Sequence, residues 1–120
     1  MMIQSYKDLV VWQKSISLVE EIYNLTGQFP KEEIFGLMSQ MRRAAVSISS
    51  NIAEGRTRSY KKEFVQFLLT AYGSGAELET QILISKRLQK TKNLDYKKVD
   101  SILVEVMKML NTLIYKLKSA

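Results

Sequence analysis

QMRRAAVSISSNIAEGRTR, residues 40–58, is the stretch from which the fold of this chain can be read. Within it Met41, Ala45, Ile48 and Ile52 recur at steps of 4, 3 and 4, a spacing that keeps them on one face of a helix. Around that stripe stand Arg42, Arg43, Asn51, Glu54, Arg56 and Arg58, an unusually rich polar and basic set. Ile34 and Leu37 extend the stripe backwards and Gly55 closes it, so a helix is expected over residues 31–55.

Similar stripes lie on both sides. Leu9, Trp12, Ile16, Val19 and Tyr23 predict a helix over residues 6–26, with Ser5 and Asp8 in a capping arrangement at its start. Gly27 and Pro30 interrupt the pattern before the second helix. Phe64, Leu68, Ala71, Gly75, Leu78 and Ile82 predict a third helix over residues 59–90, roughly 45 Å long at 1.5 Å per residue. Gly73 and Gly75 inside it each cost about 1 kcal/mol of helix propensity, and close approach of a neighbouring helix is the expected compensation. Asp95 is placed to cap a fourth helix over residues 95–118, whose seam is Val99, Leu103, Val106, Leu110, Leu113 and Leu117.

Four helices joined by short turns imply an all-α fold, an antiparallel up-down-up-down four-helix bundle in one domain spanning residues 1–120. Leu18, Ile22 and Leu25 flank the first stripe, and Ile102, Met109 and Ile114 flank the fourth. Left in water they would form a large apolar patch, so a homo-oligomer is expected.

Composition excludes more than it proposes. The 120 residues contain no histidine and no cysteine, which removes the commonest general base, the thiolate nucleophile and the soft metal ligands. The Glu-x-x-His pairs of a di-iron bundle cannot be written anywhere in the chain. GSGAE at Gly73 follows no strand and lacks the lysine of a phosphate-cradling loop. Glu77 and Glu79 point to different sides of a helix. No enzymatic activity, cofactor or metal is therefore expected. The opening MMIQSYKDLVVWQ is too short and polar for a signal peptide, and no apolar run approaches the roughly 20 residues that span a bilayer. A cytoplasmic protein without a membrane partner is the expectation.

Charge is the remaining clue. The formal net charge is +6, and its distribution is uneven. Lys86, Arg87, Lys90, Lys92, Lys97 and Lys98 face only Asp95 between residues 86 and 98, and Arg56, Arg58, Lys61 and Lys62 gather around the second turn. Lys108, Lys116 and Lys118 add a run without acidic neighbours. Arg56, Arg58, Lys61, Lys62, Lys86, Arg87, Lys90, Lys97 and Lys98 are the candidate phosphate contacts. Equally, cations in the last turn of a helix meet its dipole favourably, and surface lysines keep proteins soluble. Tyr60 and Tyr96 lie beside basic residues and could stack on bases or pack as staples. Arg42 and Arg43 adjoin the apolar stripe, where pairing with Glu54, Glu77 or a neighbouring subunit's carboxylate is expected; Asn51 is placed to cap or cross-link backbone.

VVWQKS at residues 10–15, FPKEEIFGLMSQMRRA at 29–44, SISSNIAEGRTR at 47–58 and FVQFLLTAYGSGAELETQ at 64–81 together resemble the bacterial 23S ribosomal RNA intervening-sequence proteins over nearly the whole chain. The resemblance implies four-helix subunits assembled as barrel-like homopentamers, in which five copies at +6 would carry a formal +30. It is also similar to accessory proteins of diversity-generating retroelements, which implies nucleic-acid binding or, alternatively, a scaffold for a protein partner such as a reverse transcriptase. Many relatives carry proline where this chain has Ser49, and a bulkier residue where it has Gly75, two departures expected to alter packing between the second and third helices.

Overall fold

The computed structural model describes residues 5–119, so the first four residues of MMIQSYKDLVVWQ lie outside the described part. Four helices carry the fold: α1, Val10–Thr26; α2, Leu37–Arg56; α3, Lys61–Arg87; and α4, Lys97–Ser119. Two short 3-10 turns, Tyr6–Asp8 and Lys31–Glu33, precede α1 and α2, and no strand occurs among the described residues. Each helix packs on two others, α1 on α2 and α4, α3 on α2 and α4, with α2 against α3 the most extensive contact. The described part measures 47 × 22 × 20 Å.

The stripe of residues 40–58 forms the centre of the core. Met41, Ala45, Ile48 and Ile52 are fully buried, opposite Leu18 and Ile22 of α1, Leu68, Ala71 and Leu78 of α3, and Val106 and Leu110 of α4. Each large aliphatic side chain so buried contributes about 1.5–3 kcal/mol relative to exposure, which fixes the faces the four helices turn inward.

The first helix differs from its expected seam. Its buried line is Val11, Ser15, Leu18, Ile22 and Leu25, whereas Trp12, Ile16 and Val19 are only partly covered and Tyr23 is exposed. Ser15 explains the shift, because its hydroxyl donates to the Trp12 carbonyl at 2.6 Å and lies 2.9 Å from the Ser49 hydroxyl. With its single proton committed to Trp12, Ser15 accepts from Ser49, and a polar residue sits in the core without an unsatisfied group. The Ser5 cap operates one element earlier than expected, accepting the Lys7 N–H at 3.1 Å in the 3-10 turn, and Leu9 is extended before α1 begins.

The positions expected to need a partner subunit are therefore mostly core. Leu18, Ile22, Leu25 and Ile114 are buried within the chain, and Ile102 and Met109 are partly covered against the same core. Exposed large apolar residues lie elsewhere, among them Leu69, Tyr72, Leu83 and Ile84 on α3 and Val104 and Tyr115 on α4, with Val10 and Val46 on the first two helices. Ile34, expected in the second stripe, is exposed because the chain turns at residues 34–36 before α2 starts. The third helix ends at Arg87 rather than near Lys90, where Leu88 takes an extended backbone.

The glycines and Ser49 sort by interface. A Cβ at Gly55 would stand 2.6 Å from the Phe67 Cβ and 3.1 Å from Phe64 Cδ1, so α2 and α3 approach there only because residue 55 has no side chain. At Gly75 a Cβ would meet the Met107 Sδ of α4, and at Gly73 it would meet nothing within 4 Å. Close approach within the chain thus accounts for Gly75 and not for Gly73. The two departures from the relatives' pattern consequently act on α1–α2 through Ser49 and on α3–α4 through Gly75, and not between α2 and α3. Gly55→Ala is expected to lose about 1–2 kcal/mol in urea unfolding, since a Cβ rooted in the backbone cannot yield. Gly75→Ala is expected to stay within about 1 kcal/mol, because the methionine end can swing away and alanine favours the helix; equal losses would contradict this reading.

Candidate nucleic-acid interface

The basic residues occupy the two ends of α3. Lys61 and Lys62 open that helix and Arg87 closes it 27 residues along, so the clusters stand about 40 Å apart. At the far end the α3–α4 turn is held by a chain of buried groups. Thr91 Oγ1 donates to the Ser85 carbonyl at 2.6 Å, which satisfies an open carbonyl at the end of α3, and Tyr96 Oη donates to the Thr91 carbonyl at 2.8 Å. Asp95 accepts the Lys97 N–H at 3.0 Å through Oδ1 and starts α4. Lys86, Arg87, Lys90, Lys97 and Lys98 are thereby displayed on a fixed turn, all exposed.

Carboxylates engage some of these cations. Lys86 pairs with Asp100 at 2.7 Å and lies 5.7 Å from the centre of the Tyr96 ring, and Lys90 contacts Glu32 in the turn before α2. At the other end Arg58 pairs with Glu54 at 2.7 Å and covers the Phe67 ring at 4.8 Å. Exposed pairs of this kind are weak and screened by solvent, so a phosphate can displace the carboxylate. Lys62, Arg87, Lys97 and Lys98 make no ion pair with the described residues. Arg56, the last residue of α2, is half-buried beside this cluster. Lys118 joins it as well, sharing with Lys61, Lys62, Val65, Gln66, Leu69 and Leu117 one groove between the start of α3 and the end of α4.

The polar residues beside the α2 stripe have structural tasks. Arg42 binds no carboxylate among the described residues. Its Nε donates to Thr26 Oγ1 at 2.8 Å, its Nη2 to the Tyr23 carbonyl at 3.3 Å, and its guanidinium lies 4.3 Å over the Tyr23 ring. It therefore finishes α1, whose last carbonyls lack helical partners. Glu54 is taken by Arg58, while Arg43 and Glu77 form no ion pair among the described residues. Asn51 Nδ2 donates to the Ser47 carbonyl at 2.8 Å and to Ser47 Oγ, which lies 2.9 Å from Ser74 Oγ on α3. Asn51 thus ties backbone and hydroxyl together at the α2–α3 contact.

Of the two tyrosines considered for stacking, Tyr96 is buried with its hydroxyl committed and cannot present a face to a base, whereas Tyr60 is 70% exposed. Phe35, absent from the sequence-based candidates, is 96% exposed. Ile34 alone read as the start of a helical stripe, and the turn at residues 34–36 leaves both Ile34 and Phe35 outward. Lys118 was masked for another reason, since its nearness to Lys61 and Lys62 depends on which helix ends meet.

No group of three or more potential acidic, histidine or cysteine ligands for a metal occurs among the described residues. None of their helices is long and apolar enough to cross a membrane.

Arg42→Ala is expected to cost about 1–2 kcal/mol, since it strips the end of α1 of two hydrogen bonds and a stacked cation. Arg42→Lys should recover little of it, because an ammonium has no planar fork. Glu54→Ala and Glu77→Ala should leave thermal unfolding nearly unchanged; a loss on Glu77→Ala matching that of Arg42→Ala would restore the carboxylate pairing. The hydrogen bond from Lys90, with its charge, holds the Glu32 carboxyl below the usual carboxylate range. The bond is therefore present above the ordinary carboxylate pKa and is lost as pH falls through the lowered one. In an NMR titration Lys90→Ala should move the Glu32 midpoint upward, and an unmoved midpoint would show that the contact does not form in solution.

Comparison with known proteins agrees with this architecture. A crystal structure from Bacteroides thetaiotaomicron, of a protein of unknown function from the S23 ribosomal protein family, superposes with a TM-score of 0.75 at 24% identity, covering 88% of this chain and 98% of that one. That likeness concerns the fold. No curated protein matches the sequence. The profile of the 23S rRNA-intervening sequence proteins matches residues 7–112, from the turn before α1 through both basic turns and into α4, and the chain belongs to that family.

Proposed function

We propose that this protein is a non-enzymatic, oligomeric binding protein of the cytoplasm that contacts RNA or DNA phosphates through the two basic ends of an up-down-up-down bundle. The observation that carries the reading is the position of four lysines. Lys61 and Lys62 open α3, and Lys97 and Lys98 open α4. Helix starts carry the positive end of the dipole, so cations there are disfavoured by roughly 0.3–1 kcal/mol each. The ordinary explanation that covers Lys86 and Arg87, in the last turn of α3, does not cover these four. An anion brought to the same places gains from lysine charge and from the positive end of the helix dipole together.

The up-down order is supported by the contacts themselves. Ser15 meets Ser49 while Thr26 meets Arg42, Gly55 meets Phe67 while Ser47 meets Ser74, and Gly75 adjoins Met107 while Lys86 meets Asp100. In each pair, later residues of one helix meet earlier residues of the next. Assembly is supported by Leu69, Tyr72 and Leu83 on α3 with Val104 and Tyr115 on α4, and by Gly73, whose missing side chain leaves room for a second copy. A pentamer, as the family resemblance implies, would repeat each basic end five times.

The same apolar stripe favours a second reading, an oligomeric scaffold for a protein partner such as a reverse transcriptase. The two separate in one titration of a fluorescent single strand of about 20 nucleotides, followed between about 50 and 200 mM salt. Phosphate binding is expected to weaken at least tenfold over that range. Lys61→Glu with Lys62→Glu, and Lys97→Glu with Lys98→Glu, should each lower the log–log salt slope by about 1.4. Affinity independent of salt would contradict the phosphate reading, and stoichiometric capture of a polymerase by a protein that ignores nucleic acid would establish the scaffold.

A further inference from the structure

Among the described residues Phe35 is the most exposed large apolar side chain, at 96%. A phenylalanine in water forfeits the free energy of burying its ring, yet this one is not on a loose segment. Glu33 N–H donates to the Pro30 carbonyl at 2.9 Å, Ile34 N–H to Lys31 at 3.2 Å and Gly36 N–H to Glu33 at 3.2 Å. The Glu33 carboxylate accepts the Leu37 N–H at 3.1 Å. Backbone on both sides of the ring is thus tied into the turn and into the start of α2, and the ring is held outward.

Residues beside this position meet cations. Glu32, three residues earlier and at most about 11 Å of chain away, contacts Lys90 in the α3–α4 turn. Ile34, the preceding residue, shares a surface depression with Arg42 and Arg43. Arg42 is committed to the end of α1, whereas Arg43 is exposed and unpaired among the described residues. An outward ring whose chain neighbours adjoin Arg43 and Lys90, the latter held by an exposed carboxylate that a phosphate can displace, offers what a single strand needs, a flat apolar face for a base and positive charge for the phosphates. A duplex, whose bases are stacked on one another, offers that ring nothing.

We infer that Phe35 is a base-stacking platform for single-stranded nucleic acid, with Lys90 and Arg43 as its flanking phosphate contacts. This rests on the phosphate reading above and adds to it a ligand class, unpaired bases, and a residue that recognises them.

The test compares an oligo(dT) strand of about 20 nucleotides with an abasic strand of equal length and charge, on the full chain and on Phe35→Ala. The exposed position makes a folding defect improbable on physical grounds, and Phe35→Trp supplies a second readout through fluorescence quenching on stacking. The native chain is expected to prefer the strand with bases. Phe35→Ala should reduce affinity for that strand by about five- to 150-fold, with abasic affinity and salt slope unchanged. Equal affinity of the native chain for both strands, or a base preference that survives Phe35→Ala, overturns the platform while the phosphate reading stands. A Phe35→Ala chain whose mass by light scattering changes while its base preference persists makes Phe35 a protein contact, and overturns the platform too. No binding of either strand removes the phosphate reading first, and the platform with it.

Discussion

The close contact of α2 with α3 is the constraint on which the rest of the structure depends. It is possible because Gly55 has no Cβ where Phe67 and Phe64 press against α2, and because Ser47, Ser74 and Asn51 satisfy one another farther along. Small and mutually bonded residues let the two backbones approach, and the line Met41, Ala45, Ile48, Ile52 then faces a common core. With that pair fixed, α1 closes one side through Ser15 on Ser49 and Arg42 on Thr26, and α4 closes the other around Gly75 and Met107.

The closed core changes where the chain's unused surface lies. Leu18, Ile22 and Leu25 are consumed internally, so they offer nothing to a partner. The outer faces of α3 and α4 retain Leu69, Tyr72, Leu83, Val104 and Tyr115, and the ends retain the cations. The outer faces of α3 and α4 thus offer apolar surface along the length, and the tips offer clustered positive charge with Tyr60 and Phe35 beside it. Such a division suits an assembly that joins by its sides and binds by its ends.

What could be read from sequence divides along the same physical lines. The seams of α2 and α3 and most of that of α4 were legible, because they are predominantly apolar at helical spacing; the buried line of α4 ends on Ile114, with Leu113 and Leu117 only partly covered. The seam of α1 was not, since Ser15 occupies a core position that only a hydroxyl partner on another helix makes tolerable, and the apolar alternative through Leu9 and Trp12 looked equally regular. Ile34 misled for a local reason, a turn inside an apparently continuous stripe. The basic clusters were visible as runs of charge. Their pairing was not, because Lys90 meets Glu32 and Arg42 meets Thr26 only after distant segments fold together. The same holds for Tyr96, whose buried hydroxyl bond excludes the stacking that its basic neighbours suggested.

The central claim is that the tips of the bundle bind nucleic acid. Lysine acetylation at limiting reagent, with and without a single-stranded oligonucleotide and read residue by residue by mass spectrometry, tests it most directly. Protection is expected at Lys61, Lys62, Lys97 and Lys98, with Lys14, paired to Glu105 at 3.3 Å midway along the bundle, reacting equally in both samples. Protection confined to Lys14 and Lys108, or absent throughout, would contradict the account.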